Sequence, residues 1–219
     1  MQITLNHTGA WMPFDVLHDS DASARLAGWI ADNWKSNFDD RVIITPQKSG
    51  NSVDTTELLR VLADGAPWVS PRTDRGGHGG PVVAAWPTEE MLAHCVTRAD
   101  NSSLVVFEWG NAPAVLGWAT AVQAFNAETG EATPPLSPEL HDVFVNMLFR
   151  DDYLREGAKA GRHRQITQDY LRELKEAGLD LDFVVTYLIA LGYHGDMRRL
   201  REHCEVAGIK KIPFKLPRR

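Results

Sequence analysis

Three continuous apolar runs rich in β-branched residues mark the first half of the chain. They cover residues 41–45, 81–86 and 103–107. Runs without polar alternation are typical of strands buried on both faces of a sheet. Residues 14–18 form a shorter first strand by the same criterion, and residues 68–70 form a further brief one. Residues 114–119 are interpreted either as a fifth strand or as the start of a helix that reaches Phe125.

Amphipathic helices are predicted between these strands. Leu26 and Ile30 recur at helical spacing after the first strand, with Asp21 as the expected N-cap. A second helix is predicted from a capping box at residues 54–57, and a third follows Thr88. Continuously apolar strands that alternate with helices favour an α/β fold. We expect an open, mainly parallel sheet with helices on both faces.

The pattern changes in the middle of the chain. Residues 127–138 carry Gly130 and three prolines with little apolar content, which predicts a linker or a long loop. Residues 139–219 contain short amphipathic segments that end at glycines, which is typical of helices. We therefore expect an α/β domain over residues 1–126, followed by a small all-helical C-terminal subdomain with a basic tail.

The composition is that of a globular protein. Of the 219 residues, 43% are apolar and 24% are charged, which allows a large core without disulfide bonds. No apolar run approaches the roughly 20 residues that span a bilayer, and no signal-peptide pattern opens the chain, so we expect no membrane partner. Cys95 and Cys204 are the two cysteines. We expect buried free thiols and a reducing, cytoplasmic compartment.

The net charge of −6 conceals a difference between the two parts of the chain. Residues 1–138 carry 8 Lys and Arg against 16 Asp and Glu, which disfavours a nucleic-acid surface there. Residues 139–219 carry 15 against 13. The cations predicted to contact nucleic acid are Lys159, Arg162, Arg164 and Arg198. Solvated helix faces are the alternative interpretation of these cations.

The strand ends are where a ligand is expected, because open α/β sheets bind ligands beyond the carboxyl ends of their strands. Lys48 and Ser49 follow one predicted strand and precede a capped helix, which is the setting of phosphate-binding loops. The glycine order of a P-loop is absent, so an ordinary connection is the alternative.

Residues 71–81 form a glycine-rich loop that holds Arg72, Arg75 and His78. Glycines allow backbone N–H groups to turn around an anion, and arginines add fork-shaped donors. The loop reaches the ligand edge only if residues 68–70 are a true strand. Otherwise it is a mobile surface connection.

Two carboxylates at strand ends are the candidate acid and base. Asp19 and Glu108 each follow a predicted strand, and Trp109 beside Glu108 is a candidate stacking residue. The sequence holds no complete catalytic or metal-binding motif. It therefore predicts no metal site, identifies no cofactor and leaves enzymatic activity open.

These residues together favour binding of a phosphate-bearing ligand, either a nucleotide or a nucleic acid, at the carboxyl edge of the sheet. Cations of the helical subdomain would assist. The alternative is a non-catalytic interaction protein, an adaptor or inhibitor, with no small-molecule site and a helical part that docks a protein partner.

Overall fold

A seven-stranded sheet forms the centre of the computed structural model, which describes residues 5–46, 56–76, 79–110, 115–149 and 164–212. The strands are β1 (Thr8–Met12), β2 (Val42–Ile44), β3 (Trp68–Val69), β4 (Val82–Ala85), β5 (Ser103–Phe107), β6 (Phe125–Asn126) and β7 (Glu131–Ala132). Their spatial order is β3-β2-β4-β5-β1-β6-β7. All neighbouring pairs are parallel except β6 and β7, which pair antiparallel.

Eight α-helices are present in the described residues. They are α1 (Ser20–Asn33), α2 (Glu57–Ala63), α3 (Glu89–Arg98), α4 (Leu116–Val122), α5 (Pro138–Phe149), α6 (Arg164–Glu176), α7 (Leu181–Ala190) and α8 (Met197–Ala207). Two short 3₁₀ helices, Phe14–Val16 and Phe38–Asp40, follow β1 and precede β2. The predicted fold class, a mainly parallel α/β sheet, is confirmed.

Helices cover both faces of the sheet, because successive side chains of each strand alternate between two apolar cores. On one face, Ile43 and Val83 pack with Leu26 of α1 and Leu59 of α2. The core of the opposite face is larger and includes side chains from α3, α4 and the C-terminal helices. The continuous apolar pattern of β2, β4 and β5 follows from burial on both sides.

The beginning of the chain differs from the prediction. The first strand is Thr8–Met12, and Phe14–Val16, predicted as part of a strand, is a 3₁₀ helix. The N-cap of α1 is Asp19 rather than Asp21, because the Asp19 carboxylate accepts the Ala22 N–H at 2.7 Å. The side chain of Thr56 caps α2.

The structure defines three segments whose interpretation the sequence left open. The run after β5 becomes α4, so the helical interpretation of residues 114–119 is the correct one for its described part. The segment predicted as a linker contains β7, which forms a hairpin with β6. Trp68–Val69 is a strand that pairs with β2, which meets the condition placed on the glycine-rich loop.

The C-terminal helices α6–α8 are consistent with a helical subdomain. α7 packs along α4, where the backbones approach so closely that a Cβ at Gly117 would lie 2.1 Å from the Phe183 carbonyl oxygen. Arg201 of α8 forms ion pairs with the buried carboxylates of Glu89 and Asp182, which ties α8 to α3 and α7. The predicted domain boundaries stay predictions.

No helix in the described ranges combines the length and the apolar character that crossing a lipid bilayer requires.

Candidate functional site at the carboxyl edge

The sheet has a topological switch point between β1 and β5. These strands are neighbours, but the chain leaves β1 through α1 toward β2 and leaves β5 through α4 toward β6. The two connections lie on opposite faces of the sheet, because α1 packs on one face and α4 on the other. This arrangement opens a crevice at the carboxyl ends of the two strands. A binding site is therefore expected where β1 and β5 end.

Glu108 lies at this point and joins three elements. Its Oε2 accepts the backbone N–H of Phe14 at 3.4 Å, just beyond β1. Its Oε1 accepts the N–H of Val115 at 3.1 Å, at the start of α4. Its own N–H donates to the Met12 carbonyl at 3.0 Å. The carboxyl group is thus fixed in position at the crevice by backbone groups on both sides.

Burial of Glu108 changes its protonation. Removal of solvent raises the pKa of this carboxyl group above the ordinary glutamate value, and the nearby charge of Asp15 raises it further. The two N–H bonds from Val115 and Phe14 oppose the shift without cancelling it. The ionised form is therefore less favourable here than in water, and a ligand that donates further hydrogen bonds to the carboxylate would stabilise it.

An aromatic cluster of Phe14, Trp86 and Trp109 lies beside Glu108. The ring of Trp109 meets the rings of Phe14 and of Trp86 at centroid distances of 5.5 Å each, with interplanar angles of 77° and 63°. Edge-to-face contacts of this kind stabilise aromatic pairs. Trp109 remains 37% exposed, so part of its ring surface faces solvent at the carboxyl edge.

Trp86 adopts a backbone conformation that is unusual for a bulky residue. Its φ is +59°, in the left-handed region, and such residues cost of order 1–3 kcal/mol unless their surroundings hold them in place. Its buried indole N–H finds no hydrogen-bond acceptor in the described part of the chain. Strained backbone conformations cluster at functional sites, and a buried donor without an acceptor calls for an explanation.

The glycine-rich loop lies only partly at this edge. It begins beyond β3 with a turn in which the N–H groups of Thr73 and Asp74 donate to the Ser70 carbonyl at 2.9 Å. The Asp74 carboxylate then contacts His94 at 2.8 Å on α3. Gly80 lies at the opposite edge, since a Cβ there would lie 2.0 Å from the Asp40 carbonyl oxygen. The loop therefore crosses the sheet from its carboxyl to its amino edge.

Two of the predicted anion ligands, Arg72 and Arg75, lie in the described part of this loop. Arg72 lies in the turn after β3 and is exposed. Arg75 is also exposed but follows Asp74, which is held against α3. Lys48, Ser49 and His78 lie outside the described residues.

The remaining predicted site residues have another structural role, lie on another element or lie outside the described residues. Asp19 is an exposed helix cap at the start of α1. Arg198 is 88% exposed on α8 and contacts Asp196 at 3.9 Å. Arg164 is the first residue of α6, and its side chain lies outside the described set. Lys159 and Arg162 lie outside the described residues as well. The assigned functions of these residues stay predictions.

Glu108 and Trp109 are candidates from the sequence, and their roles stay predictions, whereas Phe14 and Trp86 were expected only as members of strands. A signal for both exists: an aromatic residue stands within two positions of the end of β1, β4 and β5 alike. Because parallel strands share one carboxyl edge, aromatics at these positions converge there.

In the described ranges, no three His, Cys, Asp or Glu side chains are grouped so that they could hold a metal ion. Comparison of the chain with protein-family models, with curated proteins and with solved structures finds no match.

Proposed function

We propose that this chain is a cytoplasmic protein that binds a nucleotide at the carboxyl edge of its sheet. The observation that carries the proposal is the position of Glu108, a half-buried carboxyl group held at the switch point between β1 and β5 beside a partly exposed tryptophan. The two cysteines support the compartment, because both are buried free thiols.

The charged residues along the carboxyl edge indicate where the phosphate of the ligand lies. Glu108 and Asp15 would repel a phosphate, so the phosphate is placed away from the end of β5. Lys48 and Ser49 follow β2, and Arg72 follows β3. The ends of β2 and β5 are two strand spacings apart, about 10 Å at the usual spacing, which an extended nucleoside phosphate can cover.

Glu108 is also the residue proposed for acid–base chemistry. A carboxyl group that retains its proton to higher pH is better matched to proton transfer near neutral pH than an exposed one. Asp19 is the weaker candidate, because its carboxylate is exposed and serves as the N-cap of α1.

The test is thermal unfolding of the full chain with nucleoside monophosphates, diphosphates and triphosphates at millimolar concentration. A nucleotide at about a hundred times its Kd stabilises the folded state by about 2.7 kcal/mol. Arg72→Ala is expected to reduce this stabilisation. Arg60→Ala removes an arginine that is also exposed, on α2, and is the matched control.

Absence of stabilisation by every nucleotide would overturn the proposal and favour the alternative, an interaction protein without a small-molecule site. A short oligonucleotide is the further arm of the experiment. If the cations of the helical subdomain contact phosphates, oligonucleotide binding weakens steeply with salt, and Arg162→Glu combined with Arg164→Glu abolishes it. Nucleotide binding at the sheet edge is expected to survive that double substitution.

A further inference from the structure

We infer that Trp109 and Glu108 together recognise the base of the nucleotide and select guanine over adenine. Trp109 stacks on the face of the base, and the Glu108 carboxylate accepts the N–H groups along its edge. This inference rests on the proposed function, because it assigns the part of the same ligand that lies farthest from the phosphate.

The stacking surface follows from the exposure of Trp109. Buried tryptophans such as Trp34 and Trp118 expose 1% and 0% of their surface, whereas Trp109 exposes 37% although two aromatic neighbours hold it. A partly exposed indole that is held by two aromatic rings is a platform for a planar ring.

The strained backbone of Trp86 explains how the platform is supported. Ala85 packs in the core on the side of α1 and α2, so a regular strand would direct residue 86 to the opposite side. Trp86 nevertheless packs against that same core and contacts Trp109. The left-handed φ of Trp86 therefore places its ring under Trp109.

Phe14 brings the carboxylate and the indole within reach of one ligand. Its backbone N–H donates to Glu108, while its ring contacts the ring of Trp109. Glu108 and Trp109 thus flank the same residue. A base stacked on Trp109 can therefore turn its edge toward the carboxylate.

The hydrogen bonds of Glu108 determine which edge fits. An ionised carboxylate offers about four lone-pair positions, and the N–H groups of Phe14 and Val115 occupy two of them. The remaining positions accept only donors. Guanine presents a ring N–H and an amino group side by side, which matches a carboxylate in a bidentate manner. Adenine places a ring nitrogen acceptor beside its amino group, and that acceptor is repelled.

The experiment is calorimetric titration of the full chain with guanosine, inosine and adenosine monophosphates and with ribose phosphate. Guanosine monophosphate is expected to bind about five- to a hundredfold more tightly than either other nucleotide, since this is the range by which a bidentate pair discriminates. Trp109→Leu is expected to lower its affinity by about tenfold, and Trp109→Phe to restore most of it. Trp29→Leu changes a partly buried tryptophan of α1 and is the control.

The outcomes separate this inference from the proposed function. If ribose phosphate binds as tightly as guanosine monophosphate and Trp109→Leu has no effect, the base is not recognised here, although the phosphate site stands. If adenosine monophosphate binds as tightly as guanosine monophosphate, Glu108 does not read the base. If no member of the series binds, the proposed function itself fails.

Discussion

Acid should destabilise this protein through one histidine, and the structure gives the size of the effect. His7 precedes β1 and its ring stacks on Trp118 with 6.2 Å between centroids. The Trp118 indole N–H donates to His7 Nε2 at 3.1 Å, which requires that nitrogen to be unprotonated. Burial lowers the pKa of His7 to about 4, although the charge of Asp100 opposes the shift.

Protonation of His7 favours the unfolded state over the folded state. An unfolded His7 has the ordinary pKa of 6.5, so below that pH the unfolded chain binds a proton that the folded chain does not. The free energy of unfolding therefore falls as the pH drops from above 6.5 toward 4. Between about pH 7.5 and about pH 5 the loss through this residue is about 2 kcal/mol.

The measurement is urea unfolding of the wild type and of His7→Gln across this pH range. The glutamine amide oxygen can accept the Trp118 indole N–H, and the side chain does not titrate. All other titrating groups are common to both proteins, so their contribution cancels in the difference. The wild type is expected to lose about 2 kcal/mol more than His7→Gln. Parallel pH dependence of the two proteins would refute the reasoning.

Two further predictions concern the contacts of the C-terminal helices, both measured by chemical denaturation. Gly117→Ala places a Cβ against the Phe183 carbonyl and is expected to destabilise the fold by about 1–3 kcal/mol. The control is Gly28→Ala on α1, which has open space around it and is expected to stabilise the fold by about 0.5–1 kcal/mol. Equal effects of the two substitutions would contradict the close approach of α4 and α7. Arg201→Met leaves the buried carboxylates of Glu89 and Asp182 without their arginine and is expected to lower the free energy of unfolding by about 3 kcal/mol. The control is Arg198→Met on the same helix, which is expected to change that free energy by no more than about 0.5 kcal/mol. A similar loss of stability in both variants would show that the ion pairs of Arg201 contribute little.

The predictable strands are those whose apolar side chains themselves specify burial. β2, β4 and β5 are apolar at every position except Ser103, and each was predicted from the sequence. β1 escaped because Thr8, Gly9 and Ala10 are small or polar. Gly9 is required by a neighbour distant in sequence, since a Cβ there would lie 2.9 Å from the Trp118 ring. Local pattern does not contain that constraint.

The residues of the candidate site also differ in how far the sequence predicts their positions. Glu108 could be found because a polar residue directly after a buried strand must lie at the sheet edge. The positions of Phe14 and Trp86 depend on a 3₁₀ turn and on a left-handed backbone angle, which tertiary contacts impose against local preference. The path of the glycine-rich loop was likewise open until the pairing of Trp68–Val69 with β2 placed its start at the carboxyl edge.

The hydrogen bond from the Val115 N–H to Glu108 connects the start of α4 directly to the site. The N-cap residue of α4, Val115, has no capping side chain, and its own N–H donates to the Glu108 carboxylate of the crevice. Two residues further on, Gly117 brings the α4 backbone against α7 with no side chain between them to absorb a shift. A displacement of Val115 at the crevice must therefore be accommodated where α4 meets the C-terminal helices.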